Sequence, residues 1–188
     1  MRTRTCAAFI FDGFSDHELA LTMAALNHSE SFLLETFSTK GRAAVSRSGL
    51  RTIPHTSLFY MSPDDFDILL LPGGEQWEKG DNLEIFPLIT STAVRRPVIA
   101  FSEATLALAD LGLLNDIPHT GNYPGYFGRY CPEYKGESFY RHQPCVSAGK
   151  ITTVNGPAFT QSGHGMLGLF DTLQRIYIQN HELLDPAC

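Results

Sequence analysis

The chain has no paired Cys-x-x-Cys spacing, no His-Glu-x-x-His run and no Cys/His ligand pattern among its 4 cysteines and 7 histidines, so no metal site is expected. It also lacks a G-x-x-x-x-G-K-[ST] loop and a G-x-G-x-x-G turn after its first apolar run, which leaves no fingerprint for a nucleotide cofactor. No apolar stretch approaches the roughly 20 residues that span a bilayer. Basic residues are few and scattered: 14 Lys and Arg against 20 Asp and Glu leave a formal charge of -6, with no stripe for nucleic acid and no polybasic anchor for a membrane. The 6–11 run is too short for a signal-peptide core, so the chain is expected to begin directly in its fold. Cys6, Cys131, Cys145 and Cys188 read as reduced thiols, in keeping with a cytoplasmic protein.

What remains is the composition of a globular domain, 188 residues with 43% hydrophobic and 18% charged side chains and no low-complexity block. Residues 1–188 are expected to form one domain, with no internal repeat. Apolar runs alternate with amphipathic stretches, the pattern of a mainly parallel sheet with helices on both faces. Residues 6–11 (CAAFIF), 32–37, 67–71 (DILLL), 97–101 (PVIAF) and 150–154 read as strands, and 51–56 as a short exposed strand or ribbon. Residues 16–27 read as a helix with Leu19, Met23 and Leu26 on one face, capped by Ser15 or Asp16. Pro87 marks the first turn of another helix. Residues 121–143, rich in Tyr, Gly and Pro, suggest a long irregular loop or small ribbon near the site, and a helical region follows Asn155-Gly156-Pro157, weakened by Gly163, Gly165 and Gly168.

Chemistry concentrates where strand 97–101 runs without a linker into the Ala/Leu-rich segment 102–109. A side chain on such a sharp turn projects at the carboxyl edge of the sheet, where open α/β sheets bind ligands. Ser102 holds that position, though without the flanking glycines of a G-x-S-x-G elbow, and it reads either as a nucleophile or as a helix cap. Gly73 and Gly74 make an equally sharp exit from strand 67–71.

The segments DGFSDHE (12–18), DILLLPGG (67–74), VIAFSEATLAL (98–108) and LLNDIPHTGN (113–122) together resemble the ThiJ/PfpI superfamily, the class I glutamine amidotransferase-like fold. The resemblance implies a flavodoxin-like three-layer α/β sandwich, a homodimer, and a site in which a glutamate from the first helix bonds the elbow residue while the double-glycine turn supplies oxyanion amides. These roles fall on Glu18, Ser102, Gly73 and Gly74. Two departures stand out: an oxygen replaces the family's sulfur at position 102, and Glu103 follows it. Because a serine hydroxyl needs a positioned base, cysteine-dependent peptidase, deglycase, glyoxalase and redox roles lose their nucleophile. Either serine is natural here, or position 102 carries a Cys-to-Ser inactivating change. Glu103 either flanks Ser102 as a second carboxylate or points to solvent.

His119 is a candidate catalytic side chain, with Thr120 as the alternative at that place. Trp77 and Asn122 are candidates for substrate contact; the aromatic loop (Tyr123, Tyr126, Phe127, Tyr130, Tyr134) reads as dimer contact or lid packing, or as a wall for an apolar substrate, and His164 faces either the cleft or the surface. The expected function is that of a cofactor-independent enzyme acting on a small molecule by hydration, hydrolysis, elimination or isomerisation, with Glu18 as general acid or base and Ser102 orienting substrate or water. A binding or chaperone-like dimer that has lost catalysis is the competing reading.

Overall fold

The structure, a computed structural model, describes residues 4–29 and 32–157. Its apolar runs become strands because each is buried on both faces of one sheet. β1 (Arg4–Phe9), β6 (Ile68–Leu71), β7 (Val98–Phe101) and β9 (Ile151–Val154) occupy the interior, with β2 (Phe32–Ser38) beside β1. β5 (Thr56–Ser57) and β8 (Cys145–Ala148) close the two edges. The order is β5-β2-β1-β6-β7-β9-β8, and every pairing is parallel except that of β8 with β9. This is the flavodoxin-like α/β arrangement. Residues 6–8, 69–71 and 98–101 have no measurable exposure, which is why they read as unbroken apolar runs rather than as alternating ones.

The helices α1 (Asp16–Ser29), α2 (Glu75–Glu78), α3 (Phe86–Arg95), α4 (Thr105–Asp110) and α5 (Tyr126–Tyr130) connect the strands. Leu19, Met23 and Leu26 of α1 are buried as their spacing requires. Pro87 sits in the first turn of α3, where its missing N–H leaves no intrahelical bond unmade. Two elements depart from the sequence reading. The 51–56 segment is not one strand: β4 (Arg51–Thr52) pairs antiparallel with β3 (Ala44–Val45) in a separate ribbon, while β5 joins the main sheet. Residues 121–143 are not wholly irregular, since they contain α5 and a short 3-10 turn, Glu137–Phe139.

The chain leaves β1 toward β2 on one side and leaves β6 toward β7 on the other, so the strand order reverses between these neighbours. Reversal opens a crevice at the carboxyl ends of β1 and β6, because the connections that follow them cross opposite faces of the sheet. The β3–β4 ribbon overhangs this crevice. Gly13 N–H donates to Val45 O, Arg47 N–H donates to Phe14 O, and Val45 N–H donates to Asp12 Oδ1.

Candidate active site

Three chain segments meet in the crevice. After β1 the backbone turns through Gly13 into α1, which carries Glu18 in its first turn. After β6 it turns through Gly73-Gly74. After β7 it enters a 3-10 turn, Ser102–Ala104, ahead of α4. Ser102 adopts φ 49°, a left-handed conformation that a side chain with a Cβ resists and that persists only when surrounding contacts enforce it. Those contacts are at hand. Thr105 Oγ1 donates to Ser102 O at 2.7 Å, and the Ser102 hydroxyl donates to Glu18 Oε1 at 2.5 Å. Ser102 is therefore no helix cap: Phe101 precedes the 3-10 turn, and the serine hydroxyl is turned toward the glutamate.

The other oxygen of Glu18, Oε2, accepts the Gly73 N–H at 2.7 Å. Glu18 is buried, and that burial pushes its carboxyl up to about 7 against the opposing pull of the Ser102 and Gly73 hydrogen bonds; the nearby Glu103 charge adds to the rise and Arg47 offsets part of it. Glu103 does not point to solvent. Its Oε2 accepts the Gly74 N–H at 3.1 Å and its Oε1 lies 3.3 Å from Arg47 Nη2. Both amides of the double-glycine turn thus already hold a carboxylate. Glycine is required at 73 because a Cβ there would press on Glu103 Oε2, on Ser102 Cβ at 2.8 Å and on Glu18 Oε2 at 3.2 Å.

The cleft above these groups has a volume of about 300 Å³. Its walls include Ser15, His17, Arg47 and Asn122, none of them apolar, and Gly156 closes over Ser102 so tightly that a Cβ would meet the Ser102 side chain. Asn122 Oδ1 accepts the Gly156 N–H at 3.3 Å and so joins the two segments.

Several candidates lie elsewhere. His119 is fully buried, with Nδ1 2.7 Å from Ile117 O and Nε2 2.6 Å from the Tyr134 hydroxyl, and its ring packs on Phe127, Tyr134 and Tyr140. Burial holds it below the usual histidine range, so it is a neutral packing residue with both nitrogens engaged. Thr120, also buried, donates its hydroxyl to Gln143 O and its N–H to Thr153 Oγ1. Trp77 is turned inward against Phe9 and Phe11, its Nε1 donating to Pro72 O, so it braces the glycine turn from below rather than lining the cleft. Tyr126 and Phe127 of the aromatic loop are likewise core residues. His164 and the glycines around it lie outside the described residues.

Sequence reasoning missed Ser15, His17 and Arg47. Ser15 and His17 flank Glu18 in a segment already singled out, and the turn from strand to helix was the available signal. Arg47 carried none: it reaches the cleft only because the ribbon folds back over the β1–α1 turn. Cysteine is absent from the cleft among the described residues; Cys6 and Cys131 are buried elsewhere, with burial driving both thiols far from ionisation. No group of three or more His, Cys, Asp or Glu side chains among the described residues is disposed to hold a metal ion, and no helix there is long and apolar enough to cross a membrane.

The family model for DJ-1/PfpI matches residues 4–161. A Bacillus subtilis relative named as an uncharacterized protease, YoaZ, is 31% identical over 166 residues, which are 84% of this chain and 79% of that one. Among solved structures, the DJ-1 superfamily protein Atu0886 from Agrobacterium tumefaciens superposes with a TM-score of 0.76 at 33% identity, covering 96% of this chain and 99% of its own. A thiJ/pfpI family protein from Bacillus anthracis gives 0.79 at 29% identity, with 94% and 84% covered.

Proposed function

The chain belongs to the DJ-1/PfpI family, and from that premise we propose that it is an enzyme acting on a small molecule by proton transfer, with Glu18 as general acid and base. Ser102 orients the substrate or an attacking water. The observation that carries this reading is the buried Glu18–Ser102 hydrogen bond of 2.5 Å beneath an open cleft, at a serine held in left-handed backbone. A carboxyl pushed up to about 7 holds a proton in a large fraction of molecules near neutral pH and can both take and return one. In the ionised form, Glu18 removes a proton from substrate carbon or oxygen, or from water; in the protonated form it delivers that proton to the neighbouring atom or the leaving group. Hydration, hydrolysis, elimination and isomerisation share this step. Acyl transfer through a Ser102 ester is less well served, because the Gly73 and Gly74 amides that would stabilise an oxyanion both hold carboxylates.

The family resemblance carries the further reading that the protein works as a homodimer, while the unpaired cysteines and the missing cofactor motifs carry that of a cytoplasmic protein without a cofactor; sedimentation equilibrium tests the dimer, and activity after exhaustive dialysis tests the cofactor. The central test is solvent-deuterium exchange and turnover, followed by proton NMR, across small enolisable carbonyl compounds, hydroxy compounds and simple esters. We expect catalysis of at least one, falling by about 10²- to 10⁴-fold in Glu18→Gln. Full turnover in folded Glu18→Gln, or no catalysis of any member of the panel, overturns the reading.

A further inference from the structure

The Glu103 carboxylate is gripped from two sides. The Gly74 N–H lies 3.1 Å from Oε2 and the Arg47 guanidinium 3.3 Å from Oε1, and these are the polar contacts it makes among the described residues. A backbone N–H and a guanidinium converging on one carboxylate are the donors with which proteins bind carboxylates of ligands. Here the carboxylate comes from the residue next to Ser102, so the chain supplies its own occupant. Two further features show that the place is shaped for it. The Glu103 side chain is only 15% exposed although it lines the cleft. Gly73 has no Cβ at the spot where one would meet Glu103 Oε2.

We propose that Glu103 is a specificity-determining residue: its carboxylate fills the position between the Gly74 N–H and Arg47 that a carboxylate or oxyanion of a substrate would otherwise take, so the site accepts small uncharged substrates and turns away carboxylate-bearing ones. This rests on the reading that substrate sits above Ser102, and it names the class of that substrate. The physical reason is twofold. The single Gly74 N–H is already bonded to Glu103 and Arg47 is turned toward the same carboxylate, so an incoming anion reaches the Gly74 amide only by displacing Glu103. It also meets the negative charge of Glu103 across a cleft that water only partly screens. An uncharged molecule bearing a hydroxyl or amide N–H instead finds an acceptor.

The test uses the whole chain, labelled with nitrogen-15, and titrates sodium acetate while following the backbone amide of Gly74, with acetamide as the uncharged isostere. In the wild-type protein acetate is expected to leave the Gly74 resonance unmoved. In Glu103→Ala the place is vacated, and acetate is expected to shift Gly74 saturably with an affinity at least about tenfold above wild type, weakened again when Arg47→Ala is added. Acetamide is expected to discriminate far less between the proteins. Glu103→Ser provides a second vacated variant, and the spectra themselves report whether each protein is folded. Saturable acetate binding at Gly74 in wild type as tight as in the variants, or its absence in a folded vacated variant, overturns the proposal. Because this readout needs no turnover, it is independent of the Glu18→Gln experiment: loss of the acid–base role with acetate binding as expected condemns only the mechanism, and the reverse condemns only the assignment of Glu103.

Discussion

At Glu18, function and stability pull in opposite directions. Its carboxyl rises from an ordinary value near 4.5 to about 7, so between these limits the folded protein binds more protons than the unfolded chain. Stability must then fall as pH rises through that window and level off above it, the native state holding a buried charge it could avoid at lower pH. Chemical denaturation of wild type and Glu18→Gln from pH 4 to 8 checks this. The stability difference is expected to move in favour of the glutamine variant across the window, by up to about 3 kcal/mol from the size of the shift. With its carbonyl oxygen toward the Gly73 N–H and its NH₂ toward the Ser102 hydroxyl, the amide repeats the pattern of the protonated carboxyl, so the two proteins should lie closest at low pH. A second residue-scale expectation concerns Gly73→Ala. The added methyl enters the space where Ser102, Glu18 and Glu103 converge, and overpacking of this kind costs about 1–3 kcal/mol. Turnover should fall with it, even in the fraction that remains folded, because the two carboxylates can no longer hold their amides.

Between elements, the informative contact is the β3–β4 ribbon on the β1–α1 turn. The ribbon is too short to persist alone; three hydrogen bonds through Asp12, Gly13 and Phe14, and that of the Ser48 hydroxyl to Asp16, dock it. Asp12→Ala removes one of those that use a side chain, from an exposed aspartate, at a cost of about 0.5–1.5 kcal/mol by denaturant titration. The sheet does not depend on this contact. The position of Arg47 does, so the clearer effect is expected in KM, with kcat nearly unchanged. His119 illustrates the opposite case. Its place in LLNDIPHTGN resembled that of a catalytic histidine, but the chain between α4 and β8 buries it beneath Tyr134 and Tyr140, where a neutral ring with both nitrogens satisfied packs at low cost.

Across the whole molecule, protection should follow the sheet order. β1, β6 and β7 are central and buried on both faces, so their amides are expected to exchange with solvent most slowly; β5, β8 and the β3–β4 ribbon, at edges or outside the main sheet, should exchange fastest. Hydrogen-exchange mass spectrometry resolves this, and faster exchange in β6 than in β5 would contradict the topology. The same order explains why the site is where it is. Glu18 and Ser102 stand 84 positions apart in the chain and meet at 2.5 Å because β1 and β7 flank β6, whose exit carries the glycine pair between them.

The sequence by itself determined the features set by neighbours along the chain. Apolar runs that only a doubly covered sheet can bury, the amphipathic period of α1, the proline in the first turn of α3 and the tight exits at Gly73-Gly74 and Ser102 were all legible, and together they carry the α/β class and point to one edge of the sheet. Motif resemblance paired Glu18 with Ser102. Tertiary structure alone decided what depends on segments far apart in sequence: the split of 51–56 between a ribbon and the main sheet, the arrival of Arg47 over the cleft, the inward turn of Trp77 and the burial of His119. It also decided that Glu103, which local pattern left free to face solvent, takes the Gly74 amide. Local preference depends on a few adjacent residues and is written in their order, whereas the partner of a charged side chain depends on which backbone groups the strand order brings within about 3 Å of it, and no periodicity encodes that.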